Sequence, residues 1–202
     1  MASSPRSEPA AGTEPARPAE PTGPTGPIVL VGMMATGKTS LARQLAKRLG
    51  RRAYDSDAMI VARTGQTVAQ LFEHGGEPAF RGLETTVLDE ALAADPPGVV
   101  AAAGGVVLSP INRERLRRVS AEGGVVVWLT ADPAVLARRV RPGDHRPLLS
   151  EDPAATLARL SAERAGWYAA VADATVDTGA VPFGAVVDEV LAAVDRAAGA
   201  RP

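Results

Sequence analysis

Gly32-Met33-Met34-Ala35-Thr36-Gly37-Lys38-Thr39 satisfies the pattern GxxxxGK[ST] at every fixed position. Just before it, Ile28-Val29-Leu30-Val31 is a short apolar, β-branched run that reads as a buried strand. Just after it, Leu41, Leu45 and Leu49 recur every four residues, one stripe of a helix over 39–49 that Gly50 closes. Strand, glycine loop and helix in that order turn the string match into a mechanism. Successive backbone N–H groups curl round phosphates, and the helix N-terminus adds partial positive charge. Such a loop binds a nucleotide such as ATP, with Lys38 reaching the β- and γ-phosphates and the Thr39 hydroxyl placed for Mg²⁺. Ala35, Thr36, Gly37, Lys38, Thr39 and Ser40 are the candidate nucleotide contacts.

Outward from the loop, strands and helices alternate. Short strands are predicted over 53–55, 99–103, 125–129 and 174–176. A mostly helical stretch over 67–94 is interrupted at Gly75-Gly76 and stopped by Pro96-Pro97. Asp132-Pro133 opens another helix, and further helices are predicted over 153–171 and 182–197. Short, nearly uniform apolar strands between helices mean an α/β fold: a parallel sheet covered on both faces, in three αβα layers. Ligands of such sheets bind beyond the carboxyl ends of the strands, where the polar motifs of this chain fall.

One of these motifs is Asp55-Ser56-Asp57, read as the end of the second strand, so that alternation puts both carboxylates on one side. One carboxylate then serves a Mg²⁺ shell and the other faces an acceptor hydroxyl. An acidic helix N-cap is the plainer alternative. Composition narrows the class further. At 202 residues and 46% hydrophobic, the chain holds one sizeable core. Its 22 Lys and Arg against 23 Asp and Glu leave no basic field for nucleic acid or anionic membrane. There is no cysteine, which excludes thiolate metal sites and fits a reducing cytoplasm. No apolar run approaches the ~20 residues of a membrane-spanning helix. Residues 1–27 contain seven of the 17 prolines and little that is large and apolar, the composition of a disordered tail. His74 and His145 lack ligand-like partners, and Trp128 and Trp167 read as packing residues.

The full order of motifs carries a resemblance. After the phosphate loop and Asp55-x-Asp57 come Phe72-x-x-x-Gly76-Glu77-x-x-Phe80-Arg81-x-x-Glu84, then Gly104-Gly105, then Arg146-Pro147-Leu148-Leu149. From about 28 to 194 the chain resembles the shikimate kinase family, within the nucleoside-monophosphate-kinase-like group. The resemblance implies a single domain over 28–198 with a five-stranded sheet, a substrate-binding segment at about 57–94 and a mobile lid at about 140–150. It implies transfer of the γ-phosphoryl group of ATP, with Mg²⁺, to the 3-hydroxyl of shikimate by a cytoplasmic monomer. By the same resemblance Lys38, Asp57 and Arg146 are catalytic. Arg81, held by Glu84, and Arg164 grip the substrate carboxylate, Gly104 and Gly105 approach its ring, and Asp55 joins Thr39 at the metal. A planar guanidinium fork matches a carboxylate bidentately, which supports two arginines in that role. Two positions depart from the family: Ala35 and Ala103 stand where it commonly has glycine, Ala35 within a loop motif that admits any residue there. Another kinase of the same group, acting on gluconate or a nucleoside monophosphate, and a non-catalytic nucleotide-binding relative stay open on the residues alone.

Overall fold

The computed structural model describes residues 23–140 and 152–200. The expected lid beyond Val140, with Arg146, and residues 1–22 of the expected tail lie outside them. Strand β1 (Ile28–Gly32) is buried along its whole length, as its uniform apolar run requires. With β2 (Ala53–Asp55), β3 (Val99–Ala101), β4 (Val125–Thr130) and β5 (Ala174–Asp177) it forms a sheet in the order β2-β3-β1-β4-β5, parallel throughout.

Alternation along β1 divides the core in two. Ile28 and Leu30 pack with Leu41 and Leu45 of α1 (Lys38–Leu49) and with Val186, Val190 and Val194 of α7 (Phe183–Gly199). Val29 and Val31 face the other layer. There they meet Leu88 of α3 (Val68–Leu92), Leu116 of α4 (Pro110–Ala121), Leu136 of α5 (Pro133–Arg139) and Leu157 of α6 (Pro153–Ala169). Burying each such side chain stabilises the fold by about 1.5–3 kcal/mol. The α1 stripe stops at Leu45, because Leu49 in the last turn is 39% exposed.

Several expected bounds move by one or two residues, but two differences matter. The strand expected to run through Asp57 ends at Asp55, and α2 (Ser56–Thr64) begins at once. Helix α4 and a short 3₁₀ turn at Val106–Leu108 occupy a stretch for which the sequence suggested no element. Helix α3 starts in a reciprocal capping box between Thr67 and Gln70 and breaks at Gly76, φ 68°, where interruption was expected. A small third cluster, Ile60, Phe80 and Val87, seats α2 against α3. Ahead of β1, Arg51 donates to the carbonyls of Pro24 and Gly26, and the Gly26 amide donates to Gly123 O at 3.0 Å. Packed chain therefore begins before Ile28, inside the expected tail.

Candidate functional site

The phosphate loop starts where β1 and β4 draw together. Gly32 has φ 141°, and a Cβ there would stand 2.3 Å from Leu129 O, so no side chain fits. Thr36 is 1% exposed, and both its amide and its hydroxyl donate to Met33 O. It therefore shapes the loop from within and does not offer its side chain to phosphate. Gly37 (φ 90°) opens α1 with no side-chain cap, which leaves the helix N-terminus to an anion. Lys38 Nζ donates to the carbonyls of Gly32 at 2.9 Å and Met33 at 2.8 Å, so its charge is stored at the rim of the loop. Ala35 takes φ 63°, a left-handed conformation that favours glycine. The loop motif tolerates any residue here, but the backbone does not do so equally.

At the next strand end, Asp55 is the helix cap of the plainer alternative and also touches the phosphate-loop helix. Its Oδ2 accepts from the Thr39 hydroxyl at 2.5 Å, while Oδ1 accepts from the Ala58 amide at 3.0 Å and caps α2. Asp57 is in the first turn of α2, not on the strand. It still lines the same cleft as Asp55, because the first turn of α2 starts at the strand end. Lys38, Thr39, Ser40, Asp55, Asp57 and Gly104 line one cleft of about 220 Å³ beyond the carboxyl ends of β1, β2 and β3. The oxygens of Thr39 and Asp55 beside a phosphate loop are the hard donor type that Mg²⁺ takes.

The acceptor side is built on β3 and the kinked helix. Arg81 pairs with Glu84 at 2.5 Å and Glu77 at 2.8 Å, and Glu84 is 2% exposed. Burial works against the Arg81 charge, but the two glutamates outweigh it and hold the guanidinium above its usual pKa. Burial also pushes the Glu84 carboxyl up, with Arg81 pulling it back down. Arg81 lies flat against Gly105: a Cβ there would stand 1.9 Å from its Nη1. Arg164, also buried, donates from Nη1 to Gly104 O at 3.2 Å, while its Nε has no hydrogen-bond partner among the described residues. The structure thus brings Arg81, Arg164, Gly104, Gly105 and Asp57 to one end of the sheet. Ala103 is 5% exposed and lines the same cleft.

Two residues of this region escaped the sequence. Phe183 is 46% exposed, and its Cε2 is 3.8 Å from where a Cβ on Gly37 would stand, so an apolar ring flanks the phosphate loop. No local pattern marks the first residue of α7 as a neighbour of that loop. Tyr168, four residues beyond Arg164 on α6, belongs to none of the motifs, yet its hydroxyl donates to Gly104 O at 2.6 Å.

Comparison with known proteins agrees with this geometry. A family model described as shikimate kinase matches residues 34–195. A shikimate kinase of Nitrobacter winogradskyi is 40% identical over 97% of this chain and 89% of that protein. One of Symbiobacterium thermophilum is 44% identical over 81% of this chain and 93% of that protein. Among solved structures, a shikimate kinase from Acinetobacter baumannii in complex with shikimate superposes with a TM-score of 0.76 at 36% identity, covering 82% of this chain and 90% of that one.

Proposed function

The chain belongs to the shikimate kinase family and is a kinase that phosphorylates shikimate with ATP, and from that premise we propose how its residues divide the work. The transferred group goes to the 3-hydroxyl, giving shikimate 3-phosphate and ADP. The observation that carries this division is the convergence of the phosphate loop, Asp57 and the Gly104 wall on a single cleft.

Lys38 leaves the Gly32 and Met33 carbonyls for the β- and γ-phosphates and stabilises charge that develops during transfer. The amides that open α1 bind the phosphate chain, and the Phe183 ring offers a face to the base. Asp57 accepts from the acceptor hydroxyl and orients it toward the γ-phosphorus. Arg81 and Arg164 hold the acceptor carboxylate, Glu84 fixing the Arg81 fork from behind. Thr39 and Asp55 would hold Mg²⁺, which neutralises phosphate charge when bound. Arg146 is assigned to the transferring phosphates by its place in the family motif. A monomer is proposed from the family resemblance. No described helix is long and apolar enough to cross a membrane, and a cytoplasmic location is proposed on the absence of cysteine.

A coupled assay of ADP release tests the assignment across shikimate, quinate, gluconate and nucleoside monophosphates. Shikimate should be faster than any other acceptor by about tenfold or more, a margin of ~1.4 kcal/mol. Equal turnover of gluconate or a nucleotide would overturn it.

A further inference from the structure

Tyr168 lies near the end of α6, 1% exposed, and its hydroxyl donates to Gly104 O at 2.6 Å. The same carbonyl accepts from Arg164 Nη1 at 3.2 Å. Any buried hydroxyl needs a partner, but this choice of partner has consequences. The Gly104 carbonyl belongs to the peptide that joins the cleft wall at Gly104 to Gly105, the seat of the Arg81 guanidinium. Two glycines give that peptide little steric reason to keep one orientation. Its own Gly105 amide does not fix it either: among the described residues it makes no hydrogen bond, nor do those of Ala103 and Gly104, and the turn is closed around it, by Val106 N donating to Ala103 O at 3.1 Å. Rotating the peptide would move those amides relative to the cleft and slide Arg81 from its seat.

The Tyr168 ring is itself well held. It stacks on Trp128 with centroids 5.8 Å apart and 20° between the planes. Burial pushes the phenol up to about 12, so it remains a donor at any working pH.

We propose that Tyr168 is a positioning residue for acceptor binding, setting through the Gly104 carbonyl the peptide against which Arg81 and Arg164 are arranged. This rests on the assignment of those arginines to the substrate carboxylate. Two variants separate the hydrogen bond from packing. Tyr168→Phe removes only the hydroxyl and keeps the ring on Trp128. Trp128→Phe weakens the stack and keeps the hydroxyl. Steady-state kinetics with each substrate varied, and Tm, are measured for both variants and the parent enzyme. Tyr168→Phe should raise KM for shikimate about fivefold, the worth of one good hydrogen bond, with KM for ATP changed less than about twofold. Trp128→Phe should lower Tm and leave KM for shikimate within about twofold. An unchanged KM for shikimate in Tyr168→Phe, or an equal rise in both KM values, would overturn the proposal while leaving the assigned activity standing. A parent enzyme inert toward shikimate would overturn both.

Discussion

Replacing Ala35 with glycine should stabilise this protein, the reverse of what glycine does at most positions. Ala35 is the one described non-glycine residue with positive φ, at 63°. An L-residue there suffers a clash between Cβ and the carbonyl that costs about 1–2 kcal/mol. Glycine removes the clash, but its freer unfolded chain opposes folding by about 0.4–1 kcal/mol. The balance favours Ala35→Gly by about 0.5–1 kcal/mol. In a chain of this size 1 kcal/mol moves Tm by about 2–4 °C, so a rise of about 1–4 °C is expected. Calorimetry without nucleotide reads it directly. Ala35→Val is the counterpart, and it should lower Tm because a β-branched residue tolerates positive φ worst. Since glycine can follow the same backbone path, KM for ATP should change less than about threefold. A fall in Tm for Ala35→Gly, or a valine variant as stable as the parent, would refute the strain at this position.

Four further outcomes follow from the same geometry. Arg81→Lys should raise KM for shikimate and spare that for ATP, because the fork to Glu84 and substrate is lost while charge remains; a matching loss of ATP affinity would place Arg81 on the nucleotide side. Gly105→Ala should raise KM for shikimate more than Gly104→Ala does, since its methyl would displace Arg81 whereas one on Gly104 comes no nearer than 3.4 Å to a neighbour, Met34 N; this is read from paired kinetic constants. In alkaline denaturation, Tyr168 ionises at its ordinary value of 10.0 when unfolded but near 12 when folded, so its stabilisation is complete below pH 10 and fades as pH rises toward 12. Tyr168→Phe should lack this component, losing roughly 2–3 kcal/mol less than the parent across that window in urea titrations. Deleting residues 1–22 should leave Tm unchanged, whereas deleting 1–26 removes the carbonyls that Arg51 engages and should lower it.

What was legible in the sequence depended on whether a local pattern existed. The β1 run, the phosphate loop and the helix break at Gly76 each rest on residues adjacent in the chain, and each is found where expected. Helix α4 was silent for a physical reason. Of its residues only Leu116, Val119 and the polar Asn112 are buried, while arginines and glutamate fill its other faces, so it shows no apolar stripe. Only Ser109-Pro110, a cap followed by proline at the first helical position, signalled it. Asp57 was correctly grouped with Asp55 for the wrong reason: Asp55 ends the strand and caps α2, Asp57 lies in the first turn of that helix, and both line the cleft. The roles of Tyr168 and Phe183 had no local signal, because each is defined by a glycine more than sixty residues away in the chain.

Asp55 has a consequence for how this site can change over generations. One carboxylate oxygen is tied to the threonine that follows the phosphate loop and the other to the first turn of the helix that carries Asp57. Asparagine can keep both contacts, its oxygen capping the helix and its amide donating to the threonine hydroxyl, but it carries no negative charge. Serine and threonine can cap the helix but bring no charge to the metal side. A substitution at position 55 that loses both oxygens therefore loosens the phosphate-loop threonine and the start of α2 in the same step. On the proposed division of the site, this one residue links the nucleotide half of the reaction to the acceptor half.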